Sequence, residues 1–417
     1  MQKISHNVKP GVLNFCQVCN SKNLKLIINL GKQPLADTLS NKKTDPKKIK
    51  KYPLKLVRCC NCSCSQLSYI VPGSEVYHKK YPYRTGITKT LREYQKKLSK
   101  KLYSKYKLNK KSFVIDIGSN DGTLLEGFKK KTKILGVEPT NTAKIANRNG
   151  IKTIQNFINE VLAKRIVKKY GQADLITATN VFAHMADLGT VIRSIEILLK
   201  NNGHFVLENH YLLDIIKDLQ FDTIYHEHIR NYSLKSLLHL FSYYKLKIIH
   251  AEKASRYGGN IRVHIAKDLN EKTSINVKKL LTIEKKFGLY NNFFYKKFNK
   301  DVLKSKKMLK EFITKIKKKK LLIVAKGCPA RASTLLNYYN INVKQIPYIA
   351  EQPTSLKLNK YMPGLNIPIV NSKILLKEQP DYVLILAWHL WKPIVQKWKR
   401  KKLKSKFIIP LPKFKIV

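Results

Sequence analysis

The stretch Ser112 to Thr123, Ser-Phe-Val-Ile-Asp-Ile-Gly-Ser-Asn-Asp-Gly-Thr, constrains this chain more than any other. An apolar run ends in an acid, a glycine-rich turn follows, and an apolar helical pattern (Leu124, Leu125, Phe128) resumes at once, which spells strand, turn, helix. Gly118 and Gly122 suit a backbone that turns tightly and admits a ligand, and Asn120 between them tolerates the left-handed conformation. Downstream, Gly136-Val137-Glu138 closes a second apolar run with a carboxylate that can accept bonds from ribose hydroxyls. The alternation continues with a helix from Thr142, a short strand near Thr153, a helix through Ala163 and strands at Ala173 to Ala178 and Gly203 to Glu208. Strands separated by helices predict an α/β fold with a doubly wound parallel sheet and a ligand at the carboxyl ends of its strands.

The loop does not fit a dinucleotide: the G-x-G-x-x-G spacing is absent, and Asp116 and Asp121 make a poor cradle for pyrophosphate. Two carboxylates suit a cofactor with an amino group and a sulfonium, so Asp116, Gly118, Asn120, Asp121, Gly122 and Glu138 read as the S-adenosylmethionine site of a class I methyltransferase. The end of the domain agrees. Lys245 to Ala251, Tyr257-Gly258-Gly259-Asn260 and Ile261 to Ile265 predict a sixth strand, a hairpin and a seventh, antiparallel strand, an ending that dinucleotide folds lack.

Candidate chemistry lies just past the strands. Asn180-Val181-Phe182-Ala183-His184 follows the fourth, placing Asn180 near the cofactor and His184 at the mouth of a substrate pocket. After the fifth come Tyr225-His226-Glu227-His228, where Tyr, His and Glu can all move protons. The H-x-H spacing is also compatible with a metal, although no third ligand cluster stands near it in sequence.

Six of the seven cysteines fall between Cys16 and Cys64, which in a chain with no apolar leader argues for metal rather than disulfides. Cys16/Cys19 and Cys59/Cys62 form two C-x-x-C knuckles able to give four thiolates to one tetrahedral zinc, which would then be structural; pairs using Cys60 and Cys64 are less regular. Beyond the methyltransferase region, Ser274 to Lys320 reads as a helical connector too irregular for a coiled coil. Leu321 to Ala325, Ile346 to Ala350 and Tyr382 to Trp388 outline a second, smaller parallel sheet whose loop has only Gly327, so a dinucleotide is not expected there.

At 417 residues the chain is too long for one compact core and its length suggests about two or three domains, while 43% hydrophobic content allows real cores. No apolar run approaches a membrane span, so the expected location is the cytoplasm. A net charge of +56 invites a nucleic-acid reading, but the excess is mostly lysine spread over every segment, with little of the arginine suited to bidentate phosphate contacts.

Further stretches carry a resemblance: Leu30-Gly31-Lys32-Gln33-Pro34-Leu35-Ala36, Ser63-Cys64-Ser65-Gln66-Leu67, the Asn-Val-x-Ala-His and Tyr-His-Glu-His runs, Tyr361-Met362-Pro363-Gly364 and Ile408-Ile409-Pro410-Leu411-Pro412. In this order they resemble the C-methyltransferases that methylate C-3 of nucleotide-linked 4-keto deoxysugars. The resemblance implies a zinc-binding module (1–75), a helical linker contributing to the active site (76–110), a methyltransferase domain (111–268), a helical connector (269–320) and a smaller C-terminal Rossmann-like α/β domain (321–417). It implies His228 as base, with Tyr225 and Glu227 assisting, His184 at the substrate, and a linker tyrosine, Tyr83 or alternatively Tyr81, reaching the sugar. Tyr257 and Asn260 stand where the family has His and Ser. The expected partner is a nucleotide-diphosphate sugar and the expected state a monomer; an O- or N-methyltransferase, or an RNA-binding or RNA-methylating protein, are the alternatives.

Overall fold

The computed structural model describes residues 4–77 and 84–417. Near the N-terminus, β1 (Leu24–Pro34), β2 (Lys51–Cys59) and β3 (Ser65–Leu67) form an antiparallel sheet. Its fourth strand comes from far along the chain: Arg230 and Asn231 pair with Gln66 and Ser65. The zinc-knuckle sheet is thus completed by the segment that follows the Tyr-His-Glu-His run.

Helix α1 (Lys89–Lys105) starts where the Thr88 hydroxyl accepts the Leu91 amide. The central sheet uses β4 (Phe113–Ile117), β5 (Lys133–Val137), β6 (Thr153–Ile154), β7 (Ala173–Thr179), β8 (Leu199–His210), β9 (Lys247–Ala254) and β10 (Asn260–Ala266). Its order is β9-β10-β8-β7-β4-β5-β6, parallel except for β10, which is antiparallel to both neighbours. This is the class I methyltransferase sheet with its antiparallel seventh strand. Strand β4 is buried along its whole length, as an apolar run covered on both faces requires. Helices α2 (Thr142–Arg148), α3 (Glu160–Tyr170) and α4 (Leu188–Leu198) supply the crossovers.

One expected helix is missing. After the glycine loop only a 3₁₀ turn, Leu125–Gly127, forms. The sequence explains it: Lys129 to Lys133 offers almost no apolar face, and Leu124, Leu125 and Phe128 are instead covered by Leu98 and Leu102 of α1. A side chain at Gly127 would meet the Ser99 hydroxyl at 1.9 Å, so glycine lets α1 lie against this turn.

Helices α5 (Ile275–Phe287) and α6 (Asn292–Lys318) follow, α6 burying Tyr295, Phe298, Val302, Leu309, Ile313 and Ile316 at helical spacing while its lysines face water. In the second α/β sheet, β11 (Ile323–Lys326), β12 (Ile349–Glu351), β13 (Pro368–Asn371), β14 (Tyr382–Ile385) and β15 (Lys406–Ile409) run parallel in the order β13-β12-β11-β14-β15. Helix α7 (Ala330–Tyr339) springs from the Gly327 turn. No described helix is long and apolar enough to cross a membrane.

Candidate active site

The two knuckles meet. Each is a turn closed by backbone bonds, Asn20 to the Cys16 carbonyl and Ser63 to the Cys59 carbonyl, with Asn20 and Ser63 at positive φ. The Sγ atoms of Cys16 and Cys62 are 3.5 Å apart, those of Cys19 and Cys59 3.4 Å, and all four lie within 4.8 Å of one another. Four sulfurs at ~2.3 Å from a tetrahedral zinc stand ~3.8 Å apart, so the donor set fits zinc, with every position filled by protein. The other two cysteines of this segment are engaged elsewhere: Cys60 Sγ accepts from Arg58, and Cys64 Sγ donates to the Ser65 carbonyl. A second group, His250, Glu252 and His264, is an ion-pair network instead, because Lys101 (2.6 Å) and Arg262 (2.9 Å) already hold the Glu252 carboxylate.

The glycine loop divides its labour. Asp116 is buried at the end of β4, accepts from the Thr177 hydroxyl at 2.6 Å, and is pushed up to about 7 by burial. Glu138 accepts the Asn120 amide at 3.0 Å and the Thr140 amide and hydroxyl at 2.9 and 2.6 Å, which fixes its carboxylate at the end of β5. Asn120 and Asp121 turn the other way: Asn120 Oδ1 accepts the Thr85 amide at 2.9 Å, and Asp121 accepts the Gly86 amide at 2.9 Å, with Arg84 3.6 Å off. These two side chains fasten the linker to the loop. Tyr83 and Tyr81, just before it, lie outside the described residues. Gly118 and Gly122 both have positive φ, and a side chain at either would strike Val181 (2.5 Å) or Ile151 (2.9 Å), so protein packing as well as backbone sign demands glycine.

Asn180 is oriented by a relay that begins at Arg262. Arg262 holds the buried Glu208 carboxylate at 2.7 and 2.9 Å, and Tyr94 donates to it at 2.8 Å. Glu208 can only accept, so Asn260 must present its Nδ2 there (3.0 Å), and the second hydrogen of that Nδ2 meets Asn180 Oδ1 at 3.0 Å. Asn180 Nδ2, Asn260 Oδ1 and the nearby Ser119 hydroxyl are buried without a hydrogen-bond partner among the described residues. Orphaned donors and acceptors beside Asp116 and Glu138 fit a ligand bearing hydroxyls, an ammonium and a carboxylate, as S-adenosylmethionine does.

The catalytic candidates form an aromatic cluster. The His228 ring lies 4.0 Å from that of Tyr225, 4.7 Å from His210 and 5.0 Å from His184, centroid to centroid. His228 Nδ1 is 2.6 Å from the Thr223 carbonyl oxygen, which can only accept. The proton therefore sits on Nδ1, and Nε2 carries a free lone pair. Burial, with a smaller push from Arg331, lowers His228 to about 4, and burial keeps Tyr225 far above its ordinary range, so at neutral pH one is an uncharged base and the other a donor. His226 packs its ring on Tyr52 of β2, and Glu227 lines a small recess with Leu35, Ala36, Asp37 and Thr38. The H-x-H pair is thus split between two sides of its loop.

The sequence reading passed over several members. His210 ends β8, its pKa held well below 6.5 by burial; its place at a strand's carboxyl end was the available signal. Arg230, two residues after His228, is fully buried and donates to Gln17 inside the first knuckle, to the Phe182 and Met185 carbonyls around His184, and to Tyr232. From the C-terminal sheet, Arg331 reaches Asp222 at 2.6 and 2.9 Å and Trp388 Nε1 reaches it at 2.8 Å.

Known proteins share this architecture. Residues 16–77 match a zinc binding domain family, 87–251 a methyltransferase domain and 255–412 the C-methyltransferase C-terminal domain. The chain is similar to C-methyltransferase NovU of Streptomyces niveus, 28% identical over 409 residues and 97% of each protein. Ubiquinone biosynthesis O-methyltransferase of Escherichia fergusonii is 29% identical over 96 residues, 22% of this chain and 39% of that protein. An S-adenosylmethionine-dependent methyltransferase structure from Clostridium acetobutylicum, 14% identical, overlaps 42% of this chain and 91% of its own at a TM-score of 0.33, too low to add to the sheet order. A four-cysteine zinc module, a class I sheet and a C-methyltransferase C-terminal domain thus stand in one order along nearly the whole of a C-methyltransferase relative, the make-up of an S-adenosylmethionine-dependent C-methyltransferase.

Proposed function

We propose that this enzyme methylates C-3 of a nucleotide-diphosphate-linked 4-keto deoxysugar, with His228 as the base. The observation that carries the proposal is the Thr223 carbonyl on His228 Nδ1, which leaves Nε2 as an unprotonated acceptor inside a buried cluster. Methylation of an alcohol or amine needs little more than orientation. Methylation of carbon needs a C–H proton removed first, and a ketone beside that carbon is the feature that makes it removable. The sugar class comes from the motif resemblance, to which the buried donors and base correspond.

In this reading Nε2 takes the C-3 proton, and the C–H electron pair moves through C-3–C-4 to leave an enolate oxygen at C-4. Tyr225, kept protonated by burial, and His184, whose ring lies beside that of His228, donate to that oxygen. Bound S-adenosylmethionine supplies an electrophilic methyl group. Asp116, Ser119, Glu138 and Asn180 hold and orient it, and the enclosed cluster keeps water from the carbanion. An imidazole whose conjugate acid titrates at about 4 is a weak acceptor for such a proton, so hydrogen bonds to the enolate must carry much of the acceleration.

Incubation with S-adenosylmethionine and a panel of 4-keto nucleotide sugars should give a mass gain of one methyl, and in D₂O without the methyl donor the C-3 hydrogen should exchange. A methyl found on oxygen or nitrogen, with no C-3 exchange in any sugar, would replace this reading by the O- or N-methyltransferase one.

A further inference from the structure

We infer that Arg331 of the C-terminal domain sets the tautomer and aim of His228, acting through Asp222 and the Thr223 carbonyl. The chain of contacts is short. Arg331, in the first turn of α7, forms a two-pronged pair with Asp222, Nε to Oδ2 at 2.9 Å and Nη2 to Oδ1 at 2.6 Å. Trp388 Nε1 donates to the same Oδ2 at 2.8 Å, and its ring lies 4.7 Å from the guanidinium carbon. Asp222 is the middle residue of the 3₁₀ turn Phe221–Thr223, and the next residue supplies the carbonyl that accepts from His228 Nδ1. Fixing the Asp222 side chain from outside fixes the peptide plane that dictates which imidazole nitrogen keeps its proton.

Arg331 is a positioning residue and not a phosphate ligand, because its donors are already committed. A guanidinium has five N–H groups. Nε and Nη2 serve Asp222, Nη2 also reaches Gln220 Oε1 at 3.3 Å, and Nη1 meets the Tyr257 carbonyl at 3.5 Å and His389 Nδ1 at 3.2 Å. Gln220 in turn donates to the Gly258 carbonyl at 2.7 Å. One C-terminal side chain therefore ties together the loop bearing His228 and the hairpin at 257–258. Both partners are buried, Arg331 at 6% exposure and Asp222 at 0%, so the pair is neither screened nor loosened by water. Lysine in its place would keep the charge and lose the fork.

The consequence for turnover rests on His228 being the base, but the tautomer can be read without substrate. ¹⁵N-histidine NMR of the full chain, with the His228 signal assigned by its loss in His228→Gln, should show a single Nδ1–H form in the wild type. Arg331→Met should convert it to a mixture containing Nε2–H, and Arg331→Lys and Trp388→Phe should produce the same change in smaller measure. S-adenosylhomocysteine affinity should be unchanged, while C-3 exchange in a 4-keto nucleotide sugar should slow by up to about 10²-fold in Arg331→Met, with little change in KM. If Arg331→Met does not fold, Trp388→Phe carries the test, since it removes one donor and keeps the bulk. A His228 that stays wholly Nδ1–H in every folded variant overturns the inference. A tautomer that shifts while turnover does not supports the clamp and removes His228 from the role of base.

Discussion

At the scale of single residues, placement decides which of several titratable groups does the work. The Tyr-His-Glu-His run offers four titratable side chains, and the fold sorts them: Tyr225 and His228 join His184 and His210, His226 packs on Tyr52, and Glu227 lines the recess with Leu35 to Thr38, close enough to Tyr225 for its charge to help keep that phenol protonated. His228→Gln should therefore lower turnover and C-3 exchange by about 10²- to 10⁴-fold and leave S-adenosylmethionine affinity intact, as titration calorimetry can check. Glu227→Gln should keep exchange near the wild-type rate. If the two variants behave the other way round, the base is Glu227. Asn180→Asp tests the orientation relay: it replaces the orphaned donor by an acceptor of the same shape, and cofactor binding should weaken in consequence.

At the scale of elements, the zinc knuckles and the linker are both fastened to the site. Elemental analysis should give close to one zinc per chain, and Cys16→Ser should abolish it together with the fold of β1 to β3. The damage should not stop there. Gln17, inside the first knuckle, accepts from Arg230, which also holds the carbonyls flanking His184, so turnover should fall along with zinc content. A metal-free variant that remains folded and active would show that the knuckles hold no structural metal. The linker is fastened by Asn120 and Asp121, residues whose position between two glycines pointed to the cofactor; the side chains bind the Thr85 and Gly86 amides.

At the scale of the whole molecule, burial of so many histidines makes stability depend on pH. His184, His210 and His389 are held well below 6.5, and His226 and His228 lie at about 4, in each case first by loss of solvent. Between about 4 and 6.5 the unfolded chain binds protons that the folded chain refuses, so stability is full above 6.5 and is lost as pH falls through that window. His228 alone contributes roughly 3 kcal/mol to this loss. Asp116, raised to about 7, and Asp214, Asp218 and Glu284, also pushed up by burial, act in the opposite sense, while His6, His239, His250 and His264 add to the imidazoles held down. Urea unfolding should show a clearly lower midpoint at pH 5 than at pH 7.5, with a shallower pH dependence in His228→Gln. An unchanged midpoint would mean that these rings are solvated.

What the sequence determined by itself was local and periodic. A buried strand reads as an apolar run, a tight turn as Gly118 and Gly122, a metal knuckle as two cysteines three positions apart, because each is set by neighbours along the chain. The class I sheet and the four-sulfur cluster followed from such signals. The tertiary structure alone decided the composition of the site. His184, His210, His228 and Arg331 sit on four separate segments: the three imidazoles meet ring to ring, and Arg331 reaches their loop through Asp222. No spacing encodes that Asp222 pairs with Arg331, or that the expected helix after Gly122 gives way to α1. Periodicity fixes which face of an element is covered; which residue covers it depends on packing between elements distant in sequence.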